Sequence, residues 1–334
     1  MCHIVIAGLR RSLLLGFLTI AAGAAYAQQQ MVIFGDSLSD TGNKHAARGI
    51  LNTPPYDGLN PLGVPSDPYA KGGKHFSNGQ VWIEHVAAAI GAGGDARPVS
   101  GSNGTAGNYA WGGARAVPPA QADGNRHLAE QVYSYLADVN YHVSPDTLHV
   151  IFIGGNDMVD ALLMLSADPR SFPAAVNRVA STALAVQAGV QALLNAGARR
   201  FLVLNSPNVG LIPAIPPDGK PITSCFSYLY NEGFMPPGCP TIPGLPISLR
   251  AVTNGLSAME GVEVTTVDVF EFISGIAAYP QAFGLKNVTS MCVMPMEPPY
   301  ACKRPNEYLF WDGIHPTRAV HAMLATRVLN ELDE

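Results

Sequence analysis

"IFGDSLSDTGN", Ile33 to Asn43, ends a short apolar run with Gly-Asp-Ser and a string of small polar residues. Two readings compete. In one, a strand ends in a turn whose Asp36, Ser39 and Asp40 cap the next helix; in the other, the strand tip presents the hydroxyl of Ser37 as a nucleophile, which needs a base from elsewhere in the chain. Met31 to Phe34 reads as a buried strand, as do "LHVIFI" (148–153), "FLVLN" (201–205) and "VEVTTVDV" (262–269). Such unbroken apolar runs fit strands covered on both faces, as in a parallel sheet.

Helical patterns lie between these runs. Trp82, Ile83, Val86 and Ile90 stop at Gly91; Leu128, Val132 and Leu136 follow at four-residue spacing. A longer pattern opens at Ser171 and Pro173, carries Val176, Val179, Val186, Val190 and Leu193 on one face, and stops at Gly197. A last helix starts near Thr317 with Val320, Leu324 and Val328. Alternating strand and helix predict an open, doubly wound α/β sheet, in which ligands sit at the carboxyl ends of the strands.

Polar residues just after strands therefore carry the functional question. His315 lies in "LFWDGIHPT" with Asp312 three residues earlier, a spacing at which the carboxylate holds one imidazole nitrogen and leaves the other free to take a proton. The alternative is a pair that only caps the helix. "IFIGGND" puts Asn156 after a strand and a glycine pair, as an amide donor for a developing oxyanion or as an N-cap. "NYAWGGARA" (108–116) offers glycine backbone N–H groups.

Composition sets the bounds. Arg10 and Arg11 precede an apolar stretch, Leu13 to Ala25, closed by Ala25-Tyr26-Ala27, the layout of a secretory signal over residues 1–27. No later segment is long and apolar enough to span a bilayer. Beyond residue 27 there are 18 Lys and Arg against 25 Asp and Glu, a net charge of about −7 that argues against a nucleic-acid partner. Cys225, Cys239, Cys292 and Cys302 form an even set in an exported chain, so disulfides are expected; proximity favours Cys225–Cys239 and Cys292–Cys302 among three connectivities. Their spacing, without nearby histidines, does not suit zinc. The Pro/Gly-rich runs 52–75, 206–247 and 287–306 read as ordered surface loops.

Taken together and in this order, "FGDSLSDTGN", "NYAWGGA", "GGND" and "FWDGIHPT" resemble the blocks of the SGNH hydrolases, the GDSL group of lipases and esterases. "HFSNG" at His75 to Gly79 resembles the segment this group carries between its first and second blocks. The resemblance runs from about residue 31 to the C-terminus and is strongest to secreted bacterial members, which include lysophospholipases, acyltransferases and acetylesterases. It implies a three-layer α/β/α flavodoxin-like fold, with a parallel sheet of about five strands, in a single domain over residues 28–334. It further implies Ser37 as nucleophile, His315 as base and Asp312 as its partner, with Ser37 N–H, Gly113 N–H and the Asn156 side chain as the oxyanion hole. Gly113 is preferred to Gly112 by its offset from Asn108.

The expected reaction is ester hydrolysis, with no metal or organic cofactor required. Lipid or lysophospholipid esters are the first expectation and carbohydrate acetyl esters the second; acyl transfer would use the same triad. Phe226, Tyr228, Tyr230, Phe234 and Met235 either wall an acyl pocket or pack their loop onto the sheet. The expected location is periplasmic or secreted. A binding protein on the same fold is the non-enzymatic alternative.

Overall fold

A computed structural model describes residues 31–102 and 106–333; the expected signal at 1–27 lies outside them. Four strands, β1 (Met31–Gly35), β2 (Leu148–Phe152), β3 (Arg200–Leu204) and β4 (Glu263–Val267), pair in parallel in the order β1-β2-β3-β4. Met31 faces Leu148, Leu148 faces Arg200 and Arg200 faces Glu263. The strands thus start level and their carboxyl ends share one rim, where the polar blocks collect.

The sheet has four regular strands rather than about five. The next position, beside the outer edge of β1, is taken by the irregular stretch 107–111. Ile33 N–H donates to Gly107 O at 2.8 Å, Tyr109 N–H to Ile33 O at 2.8 Å and Trp111 N–H to Gly35 O at 3.1 Å. Asn108 breaks the regularity because its Oδ1 accepts the Ala110 N–H at 2.9 Å while its Nδ2 donates to Ser39 O at 2.8 Å. A second difference concerns β4. β1 and β2 are buried throughout, but β4 is an outer edge with Glu263 and Thr266 exposed.

Nine helices are described: α1 (Asn43–Arg48), α2 (Trp82–Ala89), α3 (Leu128–Asp138), α4 (Gly155–Ala167), α5 (Phe172–Asn195), α6 (Lys220–Glu232), α7 (Leu249–Ser257), α8 (Val269–Ala278) and α9 (Arg318–Asp333). α5 begins with Pro173 in its first turn and buries Val179, Val186, Val190 and Leu193 of the expected stripe, with Val176 only partly buried. α3 to α6 pack on one another while α2 packs on α9; crossovers between consecutive strands in sequential order fall on one face of the sheet when right-handed. No helix among the described residues is long and apolar enough to cross a membrane.

The 206–247 run is not simply a loop, since it contains α6. Its aromatic residues divide accordingly. Phe226 and Tyr230 are fully buried in the main core, and Tyr230 O–H donates to Ile153 O at 3.1 Å, whereas Phe234 is exposed. The 287–306 run contributes β5 (Asn287–Met291), which pairs in parallel with β6 (Tyr308–Phe310). Both disulfides have the expected partners, with Cα atoms 5.9 Å apart in Cys225–Cys239 and 4.9 Å in Cys292–Cys302. Beside the main core, Tyr56, Tyr69, Cys292, Val293 and Trp311 form a small separate one.

Candidate active site

The turn that carries Ser37 is held by contacts that involve neither Asp312 nor His315. A Cβ on Gly35 would stand 2.7 Å from Phe152 O, so only glycine lets β1 leave the sheet there. Gln131 of α3 accepts the Gly35 N–H at 2.9 Å and donates to Gly35 O at 2.8 Å. Asp40 accepts N–H groups from Gly42 (2.8 Å), Asn43 (2.7 Å), Lys44 (3.2 Å) and Gly112 (2.8 Å). Helix capping, the plain reading of Asp40, therefore holds, and the same carboxylate ties the "NYAWGGA" segment to the turn that carries Ser37.

His315 arrives on the turn between β6 and α9. Trp311 N–H donates to His315 O at 2.8 Å and Thr317 N–H to Leu309 O at 3.0 Å, which closes a tight loop around Asp312. The "FSNG" segment clamps the start of α9: Ser77 O–H donates to Pro316 O and Asn78 Oδ1 accepts the Arg318 N–H, each at 2.8 Å. Phe76 places its ring 5.2 Å from the imidazole. On either side of the loop, Gly313 N–H donates to Gly63 O at 2.9 Å and Gly313 O accepts from Ala214 N–H at 2.8 Å. A Cβ on Gly313 would collide with the Leu62 carbonyl.

The three side chains named from sequence meet. His315 Nε2 is 2.8 Å from Ser37 Oγ, 278 residues away in sequence. On the other side, His315 Nδ1 is 2.8 Å from Asp312 Oδ2 and 3.1 Å from Oδ1. Asp312 Oδ1 also accepts the backbone N–H groups of Ile314 (2.9 Å) and His315 (2.7 Å). Ser37 and His315 are buried to 8% and 4% exposure and Asp312 to 0%, which keeps water from competing for these bonds. Chemically, the chain can move a proton from Oγ to Nε2 while Nδ1–H stays held.

The candidate oxyanion donors lie across the same turn. The Gly112 N–H is occupied by Asp40, while that of Gly113, at φ +82°, donates to none of the described residues. Asn156 stands in the first turn of α4, where Gly154 is the N-cap, so the N-cap reading of Asn156 does not hold. One Asn156 Nδ2–H bonds Ala114 O at 2.8 Å, one residue beyond Gly113 in sequence, and the second N–H donates to none of the described residues. Removing one oxyanion donor costs roughly 3–4 kcal/mol of barrier. Asn156→Ala is expected to lower kcat about 10²- to 10³-fold with the fold intact; initial rates on a chromogenic ester, read beside a melting curve, check this.

Comparison with known proteins shows the family. Residues 31–328 match the family model of the GDSL-like lipase/acylhydrolases. The chain belongs to that family. It is a family of carboxylic ester hydrolases with the SGNH α/β fold. Lipase 1 of Photorhabdus luminescens is 35% identical over 203 residues, 60% of this chain but only 26% of that relative's length. A GDSL esterase/lipase of Arabidopsis thaliana is 23% identical over 331 residues, covering 90% of each chain. The thermolabile hemolysin of Vibrio parahaemolyticus is 24% identical over 327 residues, 90% of this chain and 63% of its own.

Three features of this GDSL-family site were not read from the sequence. Asp157 of "GGND" is fully buried, accepts the Ala116 and Val117 N–H groups at 2.9 and 3.1 Å, and pairs with Arg178 at 3.0 Å; it anchors the glycine segment to α4. Tyr69 reaches Asp312 from the 52–75 run. Finally, a mostly apolar cavity of about 50 Å³ is lined by sequence neighbours of two of the three side chains, Leu38 next to Ser37 and Ile314 and Pro316 on either side of His315, and by Ile212, Ile273 and Val320. The 206–247 run reaches this cavity through Pro207, Asn208 and Ile212, not through its aromatic residues.

Asp36, beside Ser37, is 4% exposed. Burial pushes its carboxyl from 3.8 up to about 7, against the pull of the Leu38 N–H and of His315, with Asp157 adding to the rise. The folded chain then keeps a proton that the unfolded chain releases above about pH 4. Stability accordingly falls as pH rises from about 4 to about 7 and levels off beyond. At 1.36 kcal/mol per unit the loss sums to roughly 4 kcal/mol. Asp36→Asn should remove this slope, so its advantage over wild type in melting temperature should grow from pH 4 to 7; parallel curves would refute the assignment.

Proposed function

We propose that the chain cleaves carboxylic esters through an acyl-enzyme on Ser37, and the observation that carries this reading is the 2.8 Å approach of His315 Nε2 to Ser37 Oγ. A neutral serine hydroxyl is a weak nucleophile, so Nε2 takes its proton as Oγ bonds to the ester carbonyl carbon. The carbonyl oxygen gains the negative charge and is met by the N–H groups of Ser37 and Gly113 and by the Asn156 amide. The imidazolium, steadied by Asp312, returns its proton to the departing alkoxide as the C–O bond breaks. Water then attacks the acyl-enzyme by the reverse route, giving the acid and free Ser37. Residues 28–334 act in this reading as one catalytic domain, exported to the periplasm or beyond.

The acyl group enters the cavity lined by Leu38, Ile314, Pro316 and Ile273. Its apolar lining favours the hydrocarbon end of a lipid or lysophospholipid ester. A cavity of about 50 Å³ has room for only a few water-sized groups, at roughly 10–15 Å³ each, and that size supports a second reading, a short acyl group on a carbohydrate. Initial rates on nitrophenyl esters from acetate to palmitate, with Ser37→Ala as control, test both. A maximum at long chains supports the lipid reading, a maximum at acetate the carbohydrate one. Equal turnover by Ser37→Ala and wild type refutes the mechanism.

A further inference from the structure

Tyr69 sits in the 52–75 run, 243 positions from Asp312, and its O–H donates to Asp312 Oδ2 at 2.8 Å. That is the oxygen His315 Nδ1 also approaches at 2.8 Å. Four donors thus converge on one carboxylate: the Ile314 and His315 N–H groups on Oδ1, and Tyr69 O–H with the imidazole on Oδ2. A carboxylate only accepts, and with both oxygens engaged it has no freedom to rotate.

Tyr69 is itself held on every side. Its side chain is fully buried, with ring centroids 5.7 Å from Tyr56 and 5.7 Å from Trp311, both edge-on. Its backbone bridges to the segment leading to Phe76, through Tyr69 N–H to His75 O at 2.9 Å and Lys74 N–H to Tyr69 O at 3.0 Å. Trp311 is braced in turn, since Val293 N–H donates to Trp311 O at 2.7 Å and Cys302 N–H to Cys292 O at 2.7 Å across the disulfide. Burial, with the adjacent carboxylate, pushes the phenol well above its usual range, so it remains a donor wherever the enzyme works.

We propose that Tyr69 is a positioning residue of the ester hydrolase, its O–H orienting the Asp312 carboxylate so that His315 Nδ1–H stays bound and Nε2 stays aimed at Ser37. The role rests on the triad reading above. It ties the 52–75 insertion to the triad through one group, the Tyr69 hydroxyl, while the rest of the small core only holds that ring in place. Packing alone would need only the ring; positioning needs the hydroxyl.

Tyr69→Phe keeps the ring and removes the donor. Its kcat should fall roughly 10- to 100-fold, the range expected for a hydrogen bond to a charged group, with KM within about twofold and little change in melting temperature. Tyr56→Phe removes a hydroxyl from the same cluster that does not touch Asp312, and should leave kcat unchanged. Rates are normalised to the folded fraction read by circular dichroism, so a partly unfolded variant is still informative. Wild-type kcat in Tyr69→Phe, or an equal loss in Tyr56→Phe, overturns the proposal. Ser37→Ala runs in parallel: if it turns over, the nucleophile reading fails, whereas an inert Ser37→Ala beside a fully active Tyr69→Phe overturns the Tyr69 role alone.

Discussion

Ser37→Ala should lower kcat on a nitrophenyl ester by about 10⁶-fold, the scale seen when the nucleophile of a serine triad is removed. The loss is large because no neighbour can stand in for the hydroxyl: His315 Nε2 reaches Ser37 Oγ, and with that oxygen gone the imidazole has no proton to take. Stability should barely change. The turn is held by Gln131 on Gly35 and by Asp40 on α1 and Gly112, none of which involves Oγ. A fluorophosphonate probe should label the wild type once per chain and leave Ser37→Ala unlabelled. Labelling of the variant would move the nucleophile elsewhere.

Asp312→Asn is the second large effect, expected at about 10⁴-fold in kcat, the cost of setting the imidazole in the wrong tautomer. An Asn at this position has one acceptor where the carboxylate has two. Turned so that its oxygen keeps the Ile314 and His315 N–H groups, it presents NH₂ to Tyr69 O–H and His315 Nδ1. The ring then accepts at Nδ1 and carries its proton on Nε2, facing Ser37, where a base is required. Turned the other way, the NH₂ group meets two backbone donors. The first orientation conflicts less, so the variant should fold and bind substrate with little change in KM while kcat collapses. A small loss in kcat would show that Asp312 does not orient the base.

The same physics explains how much was legible beforehand. Ser37, Asn156 and Asp312–His315 stood out because each follows an apolar run, and a polar cluster at the end of a buried strand has few structural reasons to be there. Gly113 was preferred to Gly112 by the family offset from Asn108, and the structure adds that Asp40 occupies the Gly112 N–H. Tyr69 carried no local signal: it is one tyrosine in a Pro/Gly-rich run, and its partner lies 243 residues on. α6 was hidden by its surroundings, since Pro221 and Cys225 within it and Gly233 at its end read as loop punctuation, although its buried Phe226, Leu229 and Tyr230 sit at helical spacing. The fifth sheet position was obscured by Gly107 and Asn108, whose bonds to β1 are ladder-like but whose side-chain contacts break the strand. Exposure of Glu263 and Thr266 on β4 follows from its place at the margin of the sheet, which only the pairing order reveals.

Gly313 sets a rule for anyone who would re-engineer this enzyme. Its amide is gripped from one flank by Gly63 and its carbonyl from the other by Ala214, so the loop bearing Asp312 and His315 is wedged between two irregular segments that look freely exchangeable. Transplanting either segment from a relative to alter substrate range would first tug on the histidine, and lost turnover would precede any new preference. Chimaeras should therefore inherit residues 60–63 and 212–215 unchanged and vary only what lies outside them.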